Sequence, residues 1–128
     1  MIVDTSALIA VLCREPEARA FVERIHTTDV CRISVANLLE LHMVVERQLG
    51  PEGARQVDAV LGRAGVVAEP VTLEHGEFAR RAFLDFGKGR HPAGLNIGDC
   101  FAYALAKANG EPLLFKGDDF SRTDIAIA

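Results

Sequence analysis

Acidic side chains stand at places in this chain where a charge is costly. Asp4 closes the apolar run Met1-Ile2-Val3, and Glu40 interrupts Leu38-Leu39-Glu40-Leu41. Asp99 lies one turn into Leu95-Asn96-Ile97-Gly98-Asp99, and Asp118 and Asp119 follow Leu113-Leu114-Phe115-Lys116-Gly117. A bare carboxylate at the end or on the inner side of a core element is unfavourable unless something compensates it. Gathering several such groups makes sense if they hold a hard divalent cation, Mg2+ or Mn2+, whose preferred ligands are oxygens. Each acid also has a plain structural use. Asp4 could bind the turn amides that follow it, Asp99 could share a capping box with Asn96, and Asp118 or Asp119 could be a turn residue. Glu40, set among leucines, is the hardest to explain that way. The joint placement favours chemistry more than any one residue does.

The elements that must position these acids can be read from the apolar pattern. The chain has 128 residues, 49% hydrophobic and 25% charged, which suits one ordinary domain with one real core. Strands are expected at 1–4, 30–33, 66–71 and 112–115, with a last short one at 125–127. Helices are expected at 6–12, capped by Ser6; at 15–26, opened by Glu15-Pro16-Glu17 with Pro16 near the first turn; and at 34–49 and 51–64, parted by Gly50-Pro51. Two more are expected at 72–86, capped by Thr72, and at 96–109, capped by Asn96. The glycines and proline of 87–94 mark a loop. Strands alternating with helices imply a mostly parallel sheet with helices on both faces. Ligands of such sheets sit beyond the carboxyl ends of the strands. Asp4, Asp118 and Asp119 fall there, and the dipole of its helix favours an ionised Asp99. Glu40, about two turns into its helix, must reach in from the side.

Composition excludes several classes. No apolar run approaches the roughly 20 residues needed to cross a bilayer, and the N-terminus lacks the basic lead and long apolar core of a signal peptide. Cys13, Cys31 and Cys100 are widely spaced and odd in number, which suits free thiols in a reducing cytoplasm rather than a disulfide framework or zinc site. The histidines follow no metal-binding spacing. A net charge of −4 argues against a general nucleic-acid coat. It does not exclude a nuclease whose active-site acids contribute to that total.

These motifs resemble those of the PIN-domain ribonucleases, specifically the VapC-type toxins of bacterial toxin–antitoxin pairs. Ile2-Val3-Asp4-Thr5-Ser6 is similar to the family's opening, Glu40 to its helical acid, and Asn96-Ile97-Gly98-Asp99-Cys100-Phe101-Ala102 to its third motif. Leu113 to Phe120 resembles the closing motif with one departure. Aligned on Phe120, Gly117 takes the place of the first acid, so the fourth acidic role passes to Asp118, Asp119 or both. The resemblance covers nearly the whole chain and implies a single PIN-like three-layer α/β domain over residues 1–128. It further implies a metal-dependent endoribonuclease acting on single-stranded or loop RNA. Asp4 and Asp99 would be the principal ligands of Mg2+ or Mn2+. Glu40, Asp118 and Asp119 would complete the shell directly or through water, and Ser6 would orient a carboxylate. Lys88, Arg90, His91 and Lys116, in or beside loops, are candidates for RNA phosphate contacts. A small VapB-like antitoxin and a second copy of the chain are the implied partners, the second through the helices spanning 34–64.

Two other functions fit part of the pattern. An aspartate-nucleophile phosphohydrolase also places an aspartate after its first strand, but it needs a second one two positions on, where this chain has Ser6. A non-catalytic binding domain could keep the fold with its activity lost through the altered closing motif.

Overall fold

Alternation within very short apolar strands builds the sheet. The computed structural model describes residues 1–128. Its strands are β1 (Ile2–Val3), β2 (Arg32–Ser34), β3 (Val67–Glu69) and β4 (Leu113–Leu114), all parallel and ordered β3-β2-β1-β4. Neighbouring residues of a strand face opposite sides. Accordingly, Ile2 and Leu113 pack into one apolar cluster, and Val3, Ile33 and Leu114 into another on the other side. The first cluster is covered by α4 (Leu73–Phe86) and α5 (Ile97–Asn109). The second is covered by α1 (Thr5–Leu12), α2 (Ala18–His26) and α3 (Val35–Ala64). The result is the three-layer α/β arrangement expected from the sequence.

The expected break at Gly50-Pro51 falls inside α3. Gly50 has φ 70° and ψ −167°, a left-handed conformation with no place in a helix. The two limbs then fold back on each other. On a straight helix, residues 42 and 58 would lie about 24 Å apart, yet His42 Nε2 is 3.4 Å from Asp58 Oδ1. Gly53 is buried in this turn, where an added Cβ would collide with Val45 and Leu49.

Several boundaries differ from expectation. The cap of α1 is Asp4, not Ser6: the Asp4 side chain accepts from the Ser6 backbone N–H, which the aspartate reaches because it sits in extended backbone at the strand end. The second helix begins at Ala18, since Glu15-Pro16-Glu17 turns before the helix starts. The strand expected at 125–127 is reduced to one bridge between Leu113 and Ile127. Thr72 and Asn96 cap their helices as expected, each within a capping box. No helix is long and apolar enough to cross a membrane.

Candidate active site

The order of the strands dictates where a ligand can enter. From β1 the chain moves outward to β2 and β3, then returns to place β4 on the other side of β1. The connections after β1 and β4 therefore diverge, and a crevice opens beyond the carboxyl ends of these two strands. A cleft of about 240 Å³ lies there, and Asp4, Glu40, Asp99 and Asp119 all line it.

Asp4 follows β1 directly, and its N–H extends the ladder to the Leu114 carbonyl at 2.9 Å. The residue is only 3% exposed. Its Oδ2 accepts from the Ser6 N–H at 2.9 Å and from Ser6 Oγ at 2.5 Å. Ser6 Oγ in turn accepts from the Lys116 N–H at 3.0 Å, which ties the segment after β4 to the first acid. Burial pushes the Asp4 carboxyl above its usual range against the pull of the Ser6 hydrogen bonds, and the nearby Glu40 charge adds to the rise.

Asp99 both caps α5 and lines the cleft. Its Oδ2 accepts from the Asn96 N–H at 2.8 Å, while Asn96 Oδ1 accepts from the Asp99 N–H at 2.9 Å. This capping box fixes the carboxylate at the first turn of α5, inside the cleft. Desolvation pushes the Asp99 carboxyl up to about 7; the Asn96 N–H opposes this, and the charges of Asp4, Asp119 and Glu40 reinforce it. The capping role of this acid therefore leaves its carboxylate on the cleft.

Glu40 does reach in from the side. Its Oε2 accepts from Thr5 Oγ1 at 2.8 Å and from Asn37 Nδ2 at 3.3 Å. At the closing motif the chain turns at Gly117. Gly117 has φ 103°, which favours glycine over any other residue. Beyond that turn both aspartates are exposed, and Asp119 lines the cleft while Asp118 does not.

The expected cationic contacts are dispersed. Lys116 lines the cleft, but its ammonium pairs with Glu15 and, at 3.4 Å, with Glu17. Lys88, Arg90 and His91 lie in the loop before α5 and do not line the cleft. The Arg90 guanidinium sits 5.1 Å from the Phe83 ring centre, and His91 Nδ1 accepts from the Ala93 N–H at 3.1 Å. The residues that the sequence reading passed over are Thr5, Asn37 and Gly98. The signal for Asn37 was its place three residues before Glu40, on the same helical face.

No three acid, histidine or cysteine side chains are drawn together into a ready metal cage. The donors that line the cleft are nevertheless all oxygens, and they are negative, mutually repelling and faced by no free cation. Mg2+ keeps several of its waters and takes only one or two carboxylates directly, so this donor set fits such an ion.

Fold and site together define an α/β domain with a carboxylate cleft at the switch point of a parallel sheet, and solved structures share its fold. The crystal structure of Mycobacterium tuberculosis VapC20, described as a sarcin–ricin loop cleaving toxin, is similar with a TM-score of 0.79 at 21% identity. That match covers 99% of this chain and 97% of that one. A chain of a toxin–antitoxin complex from Klebsiella pneumoniae has a TM-score of 0.76 at 15% identity, covering 99% and 95%. In sequence, Ribonuclease VapC30 of Mycobacterium tuberculosis is 48% identical over 126 residues, or 98% of this chain and 96% of that protein. The profile described as PIN domain matches residues 1–126. The chain belongs to the PIN-domain family, among its VapC ribonucleases.

Proposed function

We propose that this protein is a metal-dependent endoribonuclease that cuts RNA phosphodiester bonds as the toxin of a toxin–antitoxin pair. The observation that carries this reading is the cleft itself. Four carboxylates, from the end of β1, from α3, from α5 and from the segment after β4, meet at one sheet edge, and one of them is raised to about 7. A site that holds acids at such a cost is arranged for a cation and not for packing. Asp4 and Asp99 are the residues that would hold Mg2+ or Mn2+, with Glu40 and Asp119 beside them. Such an ion supplies charge neutralisation and an acidified water at a phosphodiester. The chain's own part is to hold the acids apart in fixed positions. Ser6 orients Asp4, Asn96 orients Asp99, and Thr5 orients Glu40.

RNA backbone phosphates would meet Lys116 at the cleft and Lys88, Arg90 and His91 in the loop before α5, away from it. With one tyrosine and no tryptophan in the chain, few rings are available to stack bases. A VapB-like antitoxin is the partner that the likeness to the Klebsiella pneumoniae complex suggests. Exposed Leu39 and Met43 on α3, beside exposed Ile97 on α5, support a homodimer through this side of the molecule.

The test is RNA cleavage by the purified protein in Mg2+ or Mn2+, alongside Asp4→Asn and Asp99→Asn. Cleavage by the wild type and its collapse in both variants, with the fold retained by circular dichroism, is expected. Unchanged cleavage in either variant would refute the assignment, and an inert wild type would favour a binding protein.

A further inference from the structure

Glu40 is held by a set of contacts that involve neither of its neighbouring acids. Beside the Thr5 hydroxyl, the donor facing its Oε2 is the amide of Asn37, a side chain buried completely. The same amide nitrogen donates to the Gly98 carbonyl at 2.9 Å and makes a longer contact of 3.5 Å with Thr5 Oγ1. Thr5 Oγ1 also lies 3.2 Å from the Asn37 carbonyl, which it can serve as a donor. One amide therefore links α1, α3 and α5. Its contact on α5 is the residue immediately before Asp99.

The far side of Glu40 is closed by a missing side chain. A Cβ on Gly98 would stand 2.4 Å from Glu40 Oε2 and 2.5 Å from Oε1. No side chain larger than hydrogen fits there while Glu40 stays in place. Gly98 is buried in the first turn of α5, where alanine would suit a helix better. Packing and propensity alone therefore do not call for this glycine.

Nor do they call for the asparagine. Asn37 Oδ1 is buried and has no hydrogen-bond partner. A buried acceptor left unpaired is unfavourable, and an apolar side chain of similar shape would avoid that cost. What an apolar residue could not supply is the amide N–H2 that reaches both Glu40 and the Gly98 carbonyl.

We propose that Asn37 is a positioning residue which, with Gly98, forms a cradle for the Glu40 carboxylate and couples it to the first turn of the helix bearing Asp99. It acts through Glu40 and touches neither substrate nor cation. A glutamate has three rotatable side-chain bonds, and the cradle leaves its carboxylate one position. The catalytic consequence rests on the nuclease reading above, whereas the cradle itself can be tested without it.

Two double-mutant cycles separate these. In cleavage, Asn37→Ala is expected to lower kcat by at least about tenfold with little change in KM, because the lost contact orients a catalytic acid and not the RNA. Added to Glu40→Ala, the same change should cost less than about twofold, since its target is gone. Equal losses in both backgrounds would mean that Asn37 acts on the fold generally, and would overturn the proposal. Gly98→Ala leaves the asparagine intact and serves if Asn37→Ala does not fold. Its readout is the urea midpoint of the metal-free protein. The midpoint should fall in the wild-type background and hold or rise with Glu40→Ala, where the added methyl meets no carboxylate. A fall of the same size in both backgrounds overturns the cradle. A wild type that melts as expected but cuts no RNA would overturn the nuclease reading and leave the cradle standing.

Discussion

Asp99 should make the metal-free protein less stable as pH rises, and replacing it with asparagine should remove that dependence. Its carboxyl is pushed from 3.8 to about 7 by burial and by facing Asp4, Asp119 and Glu40. The unfolded chain loses this proton near pH 4, whereas the folded protein keeps it until about pH 7. Between those values the folded state binds more protons, so stability falls as pH rises through the window and levels off above it. A shift of about three units at 1.36 kcal/mol each gives an upper bound of about 4 kcal/mol. The side chain is partly exposed, and solvent screening brings the expected effect to about 2 kcal/mol. Asp99→Asn retains an oxygen that can accept the Asn96 N–H, so the cap of α5 survives the change. The assay is urea denaturation in chelator at pH 5 and pH 8. Relative to the variant, the wild type should lose about 1 kcal/mol between the two, since pH 5 already lies part of the way through the window. Mg2+ at pH 8 should restore stability to the wild type far more than to the variant, because a ligand that binds only the folded state stabilises it by mass action. A wild-type-minus-variant difference that is flat or grows with pH would refute the reasoning.

Asp119→Asn should reduce RNA cleavage by at least about tenfold, whereas Asp118→Asn should stay within about twofold, since only the first side chain lines the cleft; comparable losses in parallel cleavage assays would place both acids in the site. Gly53→Ala should lower stability by about 1–3 kcal/mol in urea melts through overpacking, because its Cβ would stand 2.7 Å from Val45 Cγ1 and 2.8 Å from Leu49 Cβ. A neutral result there would mean that the two limbs of α3 separate easily.

Much of the site was legible because its acids stand at recognisable places beside apolar elements. Asp4 stands at the end of an apolar strand and Asp99 three residues after an asparagine cap, and both patterns are local. The cap of α1 was misplaced by two residues because a strand-end aspartate and the following serine are both good caps. Which of them is used depends on where the strand stops. The terminal strand was overestimated because Ile125 to Ile127 alternates as a strand should, while Leu113 offers it only one bridge. The rim cations were the weakest expectation. Lys116 is next to the site in sequence and in space, yet its charge is directed to Glu15 and Glu17, about a hundred positions away along the chain.

By itself, the order of apolar runs and breaks determined a parallel α/β sheet with acids at its carboxyl edge, because strand and helix periodicity and strand-end position are local properties. Tertiary structure decided the rest. It placed Asp119, and not Asp118, on the cleft beyond the turn at Gly117, and it raised Asp99 by burying it and by bringing other charges beside it. It also brought Thr5, Asn37 and Gly98 around Glu40. Those contacts join α1, α3 and α5, and no pattern confined to one element encodes a distance between three.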